Sequence, residues 1–109
     1  MYYLRKELEV SASHKLALDY DSPCCKAHGH NWKIIVCCRN ETLDSNGMVV
    51  DFKVIKKKVH DVLDHQNLNE VLDFNPTAEN MAKWIVDSVP HCYKAVVQET
   101  EGNEAVYEV

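Results

Sequence analysis

The chain of 109 residues has no apolar run near transmembrane length, no concentrated patch of Lys and Arg, and no Cys-x-x-Cys pair. Each absence removes a class of protein. A bilayer span needs about 20 consecutive apolar residues, so no membrane partner is expected. Non-specific nucleic-acid binding needs a clustered basic footprint, whereas the formal net charge here is −5, so no nucleic acid is expected either. The opening residues, Met1-Tyr2-Tyr3-Leu4-Arg5-Lys6, lack the apolar centre of a secretory signal, and the expected compartment is the cytoplasm. Five cysteines occur, an odd number, and Cys24-Cys25 and Cys37-Cys38 are adjacent in the chain. That usage reads as reduced thiols rather than a disulfide framework. Repeats, linkers and low-complexity segments are missing too. Residues 1–109 therefore read as one domain with a single core.

What is present is patterned. Over residues 4–12, Leu4, Leu8, Val10 and Ala12 alternate with Arg5, Glu7, Glu9 and Ser11, and Lys6 interrupts the apolar side once. That is a half-buried strand, and His14 continues its apolar parity. Residues 16–27 read as a loop. A second strand is predicted over about 29–39, with His28, His30, Trp32, Ile34 and Val36 on one parity, and with Cys37 and Cys38 as small sheet residues. Ser45-Asn46-Gly47 marks a turn. Asp51 caps a helix predicted over 52–65, with Ile55, Val59, Val62 and Leu63 as its apolar stripe. Thr77 caps a second, over 78–89, with Glu79 in its first turn. Strands over 92–100 and 104–109, joined at Glu101-Gly102-Asn103, close the chain. The order β-β-α-α-β-β predicts an α+β fold: a four-stranded antiparallel sheet with both helices on one face. Its bare face predicts partner subunits.

The chemistry concentrates in Ala27-His28-Gly29-His30-Asn31-Trp32 and in Ser13-His14. Positions 28 and 30 of a strand share a face, and His14 joins them from the neighbouring strand. Three imidazoles with a fourth position open describe a catalytic zinc site, although Fe²⁺ and Ni²⁺ accept the same ligands. The alternative is a strand edge with imidazoles facing solvent. Gly29 argues against it, because glycine weakens a strand unless backbone must bend or approach closely. Cys24 and Cys25 precede His28 by four and three residues. A thiol beside a dication is acidified into a base or nucleophile, or it closes the site as a fourth ligand, or it is a plain loop cysteine. Asp64-His65 can form a proton-handling pair; equally, a His near a helix C-terminus is favourable by itself. Glu99 lies on one parity with Tyr93, Ala95 and Val97. Turned inward, its carboxylate needs donors of the kind an amino-pyrimidine edge supplies. His60 and His91 read as surface residues.

In their order along the chain, Ser13-His14-Lys15-Leu16, Cys24 with His28-Gly29-His30-Asn31, Gly47-Met48-Val49-Val50-Asp51-Phe52, Leu63-Asp64-His65 with Leu68-Asn69, Asn75-Pro76-Thr77-Ala78-Glu79-Asn80 and Gln98-Glu99-Thr100 resemble one family. It is the 6-pyruvoyl-tetrahydropterin synthase / 6-carboxy-tetrahydropterin synthase family, and the resemblance covers nearly the whole chain. It implies the tunnelling fold (T-fold), with trimers forming a β-barrel and two trimers stacking into a homohexamer. It implies Zn²⁺ on His14, His28 and His30, a catalytic thiol at Cys24, a proton relay at Asp64 and His65, and pterin anchoring by Glu99. Thr77 and Glu79 are implied to help hold the pterin from a neighbouring subunit. The implied substrate is 7,8-dihydroneopterin triphosphate. The queuosine-pathway branch, which releases acetaldehyde and leaves a 6-carboxy product, is favoured over the pyruvoyl branch. A zinc- and pterin-binding relative without turnover is the remaining reading. Lys15, Lys26 and Lys53 are candidates for holding the triphosphate.

Overall fold

Strict alternation builds the two longest strands. In the computed structural model, which describes residues 1–109, β1 runs Tyr2–His14 and β2 runs His28–Asn40. They pair antiparallel in unbroken register from Tyr2 opposite Asn40 to His14 opposite His28. A two-residue β3, Gln66–Asn67, lies beside β1, while β4, Cys92–Thr100, and β5, Asn103–Glu108, extend the sheet on the other side. The sheet order is β3-β1-β2-β4-β5.

The fifth strand departs from the four expected. β3 pairs parallel with Ala12 and Ser13, whereas every other pairing is antiparallel. Two residues are too few for a period-two pattern to register in sequence. Side-chain docking places β3 instead: the Ser11 N–H donates to Asp64 Oδ1 at 2.9 Å, and the His65 N–H donates to the Ser11 carbonyl at 2.7 Å.

The first predicted helix is also divided. α1, Phe52–Ile55, passes through a π-helical stretch, Lys56–His60, into α2, Asp61–Leu63. Ile55, Val59 and Leu63 are fully buried. Residues at strict intervals of four drift around a 3.6-residue helix, and a wider turn returns them to one face. A single turn absent from the expectation, α3, Leu68–Val71, follows with Asn67 as its cap. α4, Ala78–Ser88, forms as predicted: the Thr77 hydroxyl accepts from the Asn80 N–H at 3.1 Å, and Met81, Ala82 and Ile85 turn inward.

These helices cover the sheet face that carries Leu8, Val10, Ala12, Trp32, Ile34, Val36, Ala95 and Val97. Trp32 is fully buried, and its indole N–H is satisfied by the Ala12 carbonyl at 3.1 Å. Truncating such a ring to alanine costs about 3–5 kcal/mol. Lys6, the interruption in the apolar pattern, is half-buried, with its ammonium 5.6 Å from the centre of the Phe52 ring. Opposite the helices, Arg5, Glu7, Glu9 and Ser11 face solvent. The outer edge of β1 is unpaired over residues 2–11, apart from the Ser11 contacts just described, and β5 has a partner on one side only. Open edges of this kind are places where another chain can pair.

Candidate metal centre

The β1–β2 register brings the histidines together. His14 stands opposite His28, and His30 stands opposite Ala12, so all three rings lie at one end of the hairpin on the face covered by helices. Ring centres are 4.6 Å apart for His14 and His28, 5.2 Å for His14 and His30, and 4.8 Å for His28 and His30. Trp32 forms the inner wall, 4.9 Å from His14 and 5.2 Å from His30. His14 is the one buried residue of the core that is not hydrophobic.

Backbone carbonyls set the orientation of two rings. His14 Nδ1 lies 2.8 Å from the Pro76 oxygen and His28 Nδ1 lies 2.7 Å from the Lys26 oxygen. A carbonyl only accepts, so each Nδ1 carries the hydrogen and each Nε2 presents its lone pair when the ring is neutral. His14 Nε2 and His30 Nε2 are buried with no hydrogen-bond partner. An orphaned buried polar atom costs about 1–3 kcal/mol and demands a reason. A coordinated cation supplies one, and the residues therefore fit a metal. Burial holds the His30 imidazole below its ordinary range; the Glu99 charge opposes the shift, and repulsion from His14 and His28 adds to it. A neutral ring is the form that binds a metal.

Glu99 completes the group. Its Oε1 lies 2.7 Å from His30 Nε2 and 3.5 Å from His14 Nε2. One ligand atom from each of His14, His28, His30 and Glu99 lies within 4.8 Å of all the others. The fourth donor beside the histidines is thus Glu99, and the Cys24 thiol stands outside the group. Glu99 also borders a cleft of 450 Å³ with Glu79, Asn103 and Glu104, so Glu79 and Glu99 of one chain share a cavity. Thr77 spends its hydroxyl on the α4 cap, and the neighbouring Pro76 supplies the acceptor that orients His14. Nothing in the Asn-Pro-Thr pattern announces that second task.

Cys24 is half-buried in a 3-10 turn, Pro23–Cys25, capped by Ser22, and its carbonyl accepts from the Leu16 N–H at 2.7 Å. Cys25 is exposed, and all five cysteines are free. Gly29 meets only the Ala12 oxygen, 4.0 Å from where a Cβ would stand, so no close approach inside the chain requires it. It lies instead on the outer face, in a cleft with Ser11, Ser13, Asn31 and His65.

Asp64 and His65 are not among the four clustered ligands, although His65 and His30 border one cleft. Asp64 and His65 dock on the free edge of β1 through Ser11, with Asp64 Oδ2 2.8 Å from His65 Nδ1. His65 adopts φ 58° and is 81% exposed. The Ser11 N–H, followed by the His65 contact, keeps the Asp64 carboxyl below its ordinary range against a smaller opposing effect of burial. His60, expected at the surface, is only 27% exposed and touches Asp61 and Asp64.

Fold and site together define an α+β tunnelling-fold protein with a group of three histidines and a glutamate suited to a metal ion. Residues 3–109 match the family described as 6-pyruvoyl tetrahydropterin synthase. The Bacillus subtilis 6-carboxy-5,6,7,8-tetrahydropterin synthase is 32% identical over 123 aligned positions, covering 97% of this chain and 84% of that protein. The human 6-pyruvoyl tetrahydrobiopterin synthase is 34% identical over 94 positions, covering 73% and 65%. Among solved structures, the Caenorhabditis elegans 6-pyruvoyl tetrahydropterin synthase superposes with a TM-score of 0.76 at 28% identity, covering 99% of this chain and 95% of that one. The chain belongs to the 6-pyruvoyl tetrahydropterin synthase family and is an enzyme, a lyase of the tetrahydropterin synthase class.

Proposed function

We propose that the protein is a zinc-dependent 6-carboxy-5,6,7,8-tetrahydropterin synthase of queuosine biosynthesis in the cytoplasm. It would convert 7,8-dihydroneopterin triphosphate and water to 6-carboxytetrahydropterin, acetaldehyde and triphosphate. The observation that carries this reading is the pair of buried, unpartnered Nε2 atoms of His14 and His30 beside His28. The Bacillus subtilis relative, matched over nearly the whole chain, favours the carboxy branch.

His14, His28 and His30 would hold the metal, which when bound supplies Lewis acidity at the side-chain hydroxyls of the substrate. The Cys24 thiolate takes a proton from C1′ of that side chain. His65, oriented by Asp64, gives or takes the second proton. Glu99 accepts from the amino-pyrimidine edge of the ring, and Thr77 and Glu79 bound the same region. Glu99 already lines a 450 Å³ cleft together with Glu79, which suits that task.

One chain brings His65 to the cleft that His30 borders but leaves the Asp64–His65 pair outside the ligand group. His65 is solvent-facing on the β1 edge, whereas the metal ligands lie on the helix-covered face. Both sheet edges are open. A closed ring of copies, paired edge to edge and stacked as a homohexamer of two trimers, would carry the Asp64–His65 pair of one subunit to the histidines of another. The test is turnover of 7,8-dihydroneopterin triphosphate by zinc-loaded protein with product identification. Acetaldehyde with a 6-carboxy pterin is the expected result. A diketo pterin without acetaldehyde would move the assignment to the pyruvoyl branch. No triphosphate release at any metal loading would leave a pterin-binding protein without turnover.

A further inference from the structure

We propose that His60 is a positioning residue that acts through Asp64 on His65. The inference rests on the reading of Asp64 and His65 as proton carriers. His60 closes the π-helical stretch Lys56–His60, and its carbonyl accepts the Asp64 N–H at 2.8 Å, so the two residues are stacked one turn apart. Its ring bridges two carboxylates: Nδ1 lies 3.0 Å from Asp61 Oδ1, and Nε2 lies 3.5 Å from Asp64 Oδ2. Beyond Asp61, Lys56 Nζ is 3.0 Å away. Beyond Asp64, His65 Nδ1 is 2.8 Å away.

The result is a row, Lys56–Asp61–His60–Asp64–His65, in which groups able to carry positive charge alternate with carboxylates. The titratable groups facing His60 are Asp61 and Asp64; from β1, the Ser11 main chain reaches Asp64 and brings no charge. Asp64 Oδ2 is therefore shared between two imidazoles while Oδ1 is fixed by Ser11. A carboxylate contacted from three directions has less room to swing, and its orientation sets which His65 nitrogen carries the proton. One imidazole thus helps set the aim of the other through the carboxylate they share.

Exposed ion pairs are often worth nothing measurable, so the row has to be tested for coupling rather than counted. His60→Phe keeps a ring and removes both nitrogens; His60→Gln restores one donor toward Asp64. In the full-length, metal-loaded protein, His60→Phe should lower kcat about 3–10-fold, a fraction of the usual general acid–base contribution, with KM moved by less than about twofold. His60→Gln should recover part of the loss. In an Asp64→Asn background His60→Phe should cost less than about twofold, because the coupling has already gone. The ring-nitrogen chemical shifts of His65, read by NMR, should move in His60→Phe. Equal losses in both backgrounds, no loss in either, or unmoved His65 shifts would overturn the proposal. If the unaltered protein turns over no pterin, the functional reading fails separately, and the NMR shifts still decide the role of His60.

Discussion

The histidine group and the Asp64–His65 pair are built in opposite ways. The first is assembled by thirteen-residue strands in unbroken register, backed by a fully buried indole and oriented by backbone carbonyls. The second hangs on a strand edge through one serine, with a ring left 81% exposed. A metal ligand must hold its position before substrate arrives, and burial within a single chain provides that rigidity. A proton carrier has to meet a substrate that enters from outside. An edge that faces a second copy can supply it only on assembly.

Removing a ligand from the first region should have the largest effect. Loss of a group that merely orients a metal ligand costs about 10–100-fold in metal affinity or activity, so loss of a ligand must cost more. His14→Ala should therefore reduce bound zinc, measured by elemental analysis after gel filtration, and reduce turnover by more than about a hundredfold. Cys24→Ala should keep its zinc and lose about 10²–10⁴-fold in kcat. Should Cys24→Ala lose metal as readily as His14→Ala, the thiol is a ligand, and the division between the metal centre and a separate acid–base set fails.

A smaller signal tests whether the two regions belong to different chains. His14→Ala and Asp64→Asn, each nearly inactive alone, should complement when co-expressed. Random mixing gives about a quarter of the sites one intact His14 from one subunit and one intact Asp64 from another, so activity should approach about a quarter of the unaltered level. Mixtures as inactive as either parent would place both residues in one chain's site, against the exposed geometry of His65.

Legibility in the sequence followed the same division. Period-two alternation predicted β1 and β2, and parity alone put His14, His28 and His30 on one face. The long α4, with Thr77 as its cap, was equally plain. Features set by single contacts were hidden. β3 exists because Asp64 and His65 grip Ser11. The π-helical stretch follows from burying Ile55, Val59 and Leu63 together. Gly29 suggested a crowded backbone, yet its neighbours within the chain leave room. His60 reads as a surface residue in the sequence, because no one-residue signal marks an imidazole that bridges two carboxylates. The sequence points Glu99 at a pterin edge, and its second closeness, to the histidine nitrogens, depends on the β2–β4 register rather than on local pattern.

Acid should separate the two regions with the mildest perturbation. His30 is held below the ordinary imidazole value by burial, so the folded chain binds its proton less readily than the unfolded chain does. Stability from this ring is therefore present at neutral pH and begins to fall as pH drops through about 6.5, the unfolded value. Asp64 is also lowered, chiefly by the Ser11 N–H, but for a carboxyl the consequence comes later. Its contribution persists down to about pH 4 and is lost only as pH falls through its lower folded value. In metal-free protein, amide exchange corrected for intrinsic rates should quicken first around His30 and Trp32. The Ser11 and His65 amides should follow only in stronger acid, and Asp64→Asn, which keeps an oxygen for Ser11 but cannot titrate, should abolish that second step. Simultaneous opening of both sets near pH 6 would show that the β1 edge has no independent hold and that the histidine group, not Asp64, keeps β3 in place.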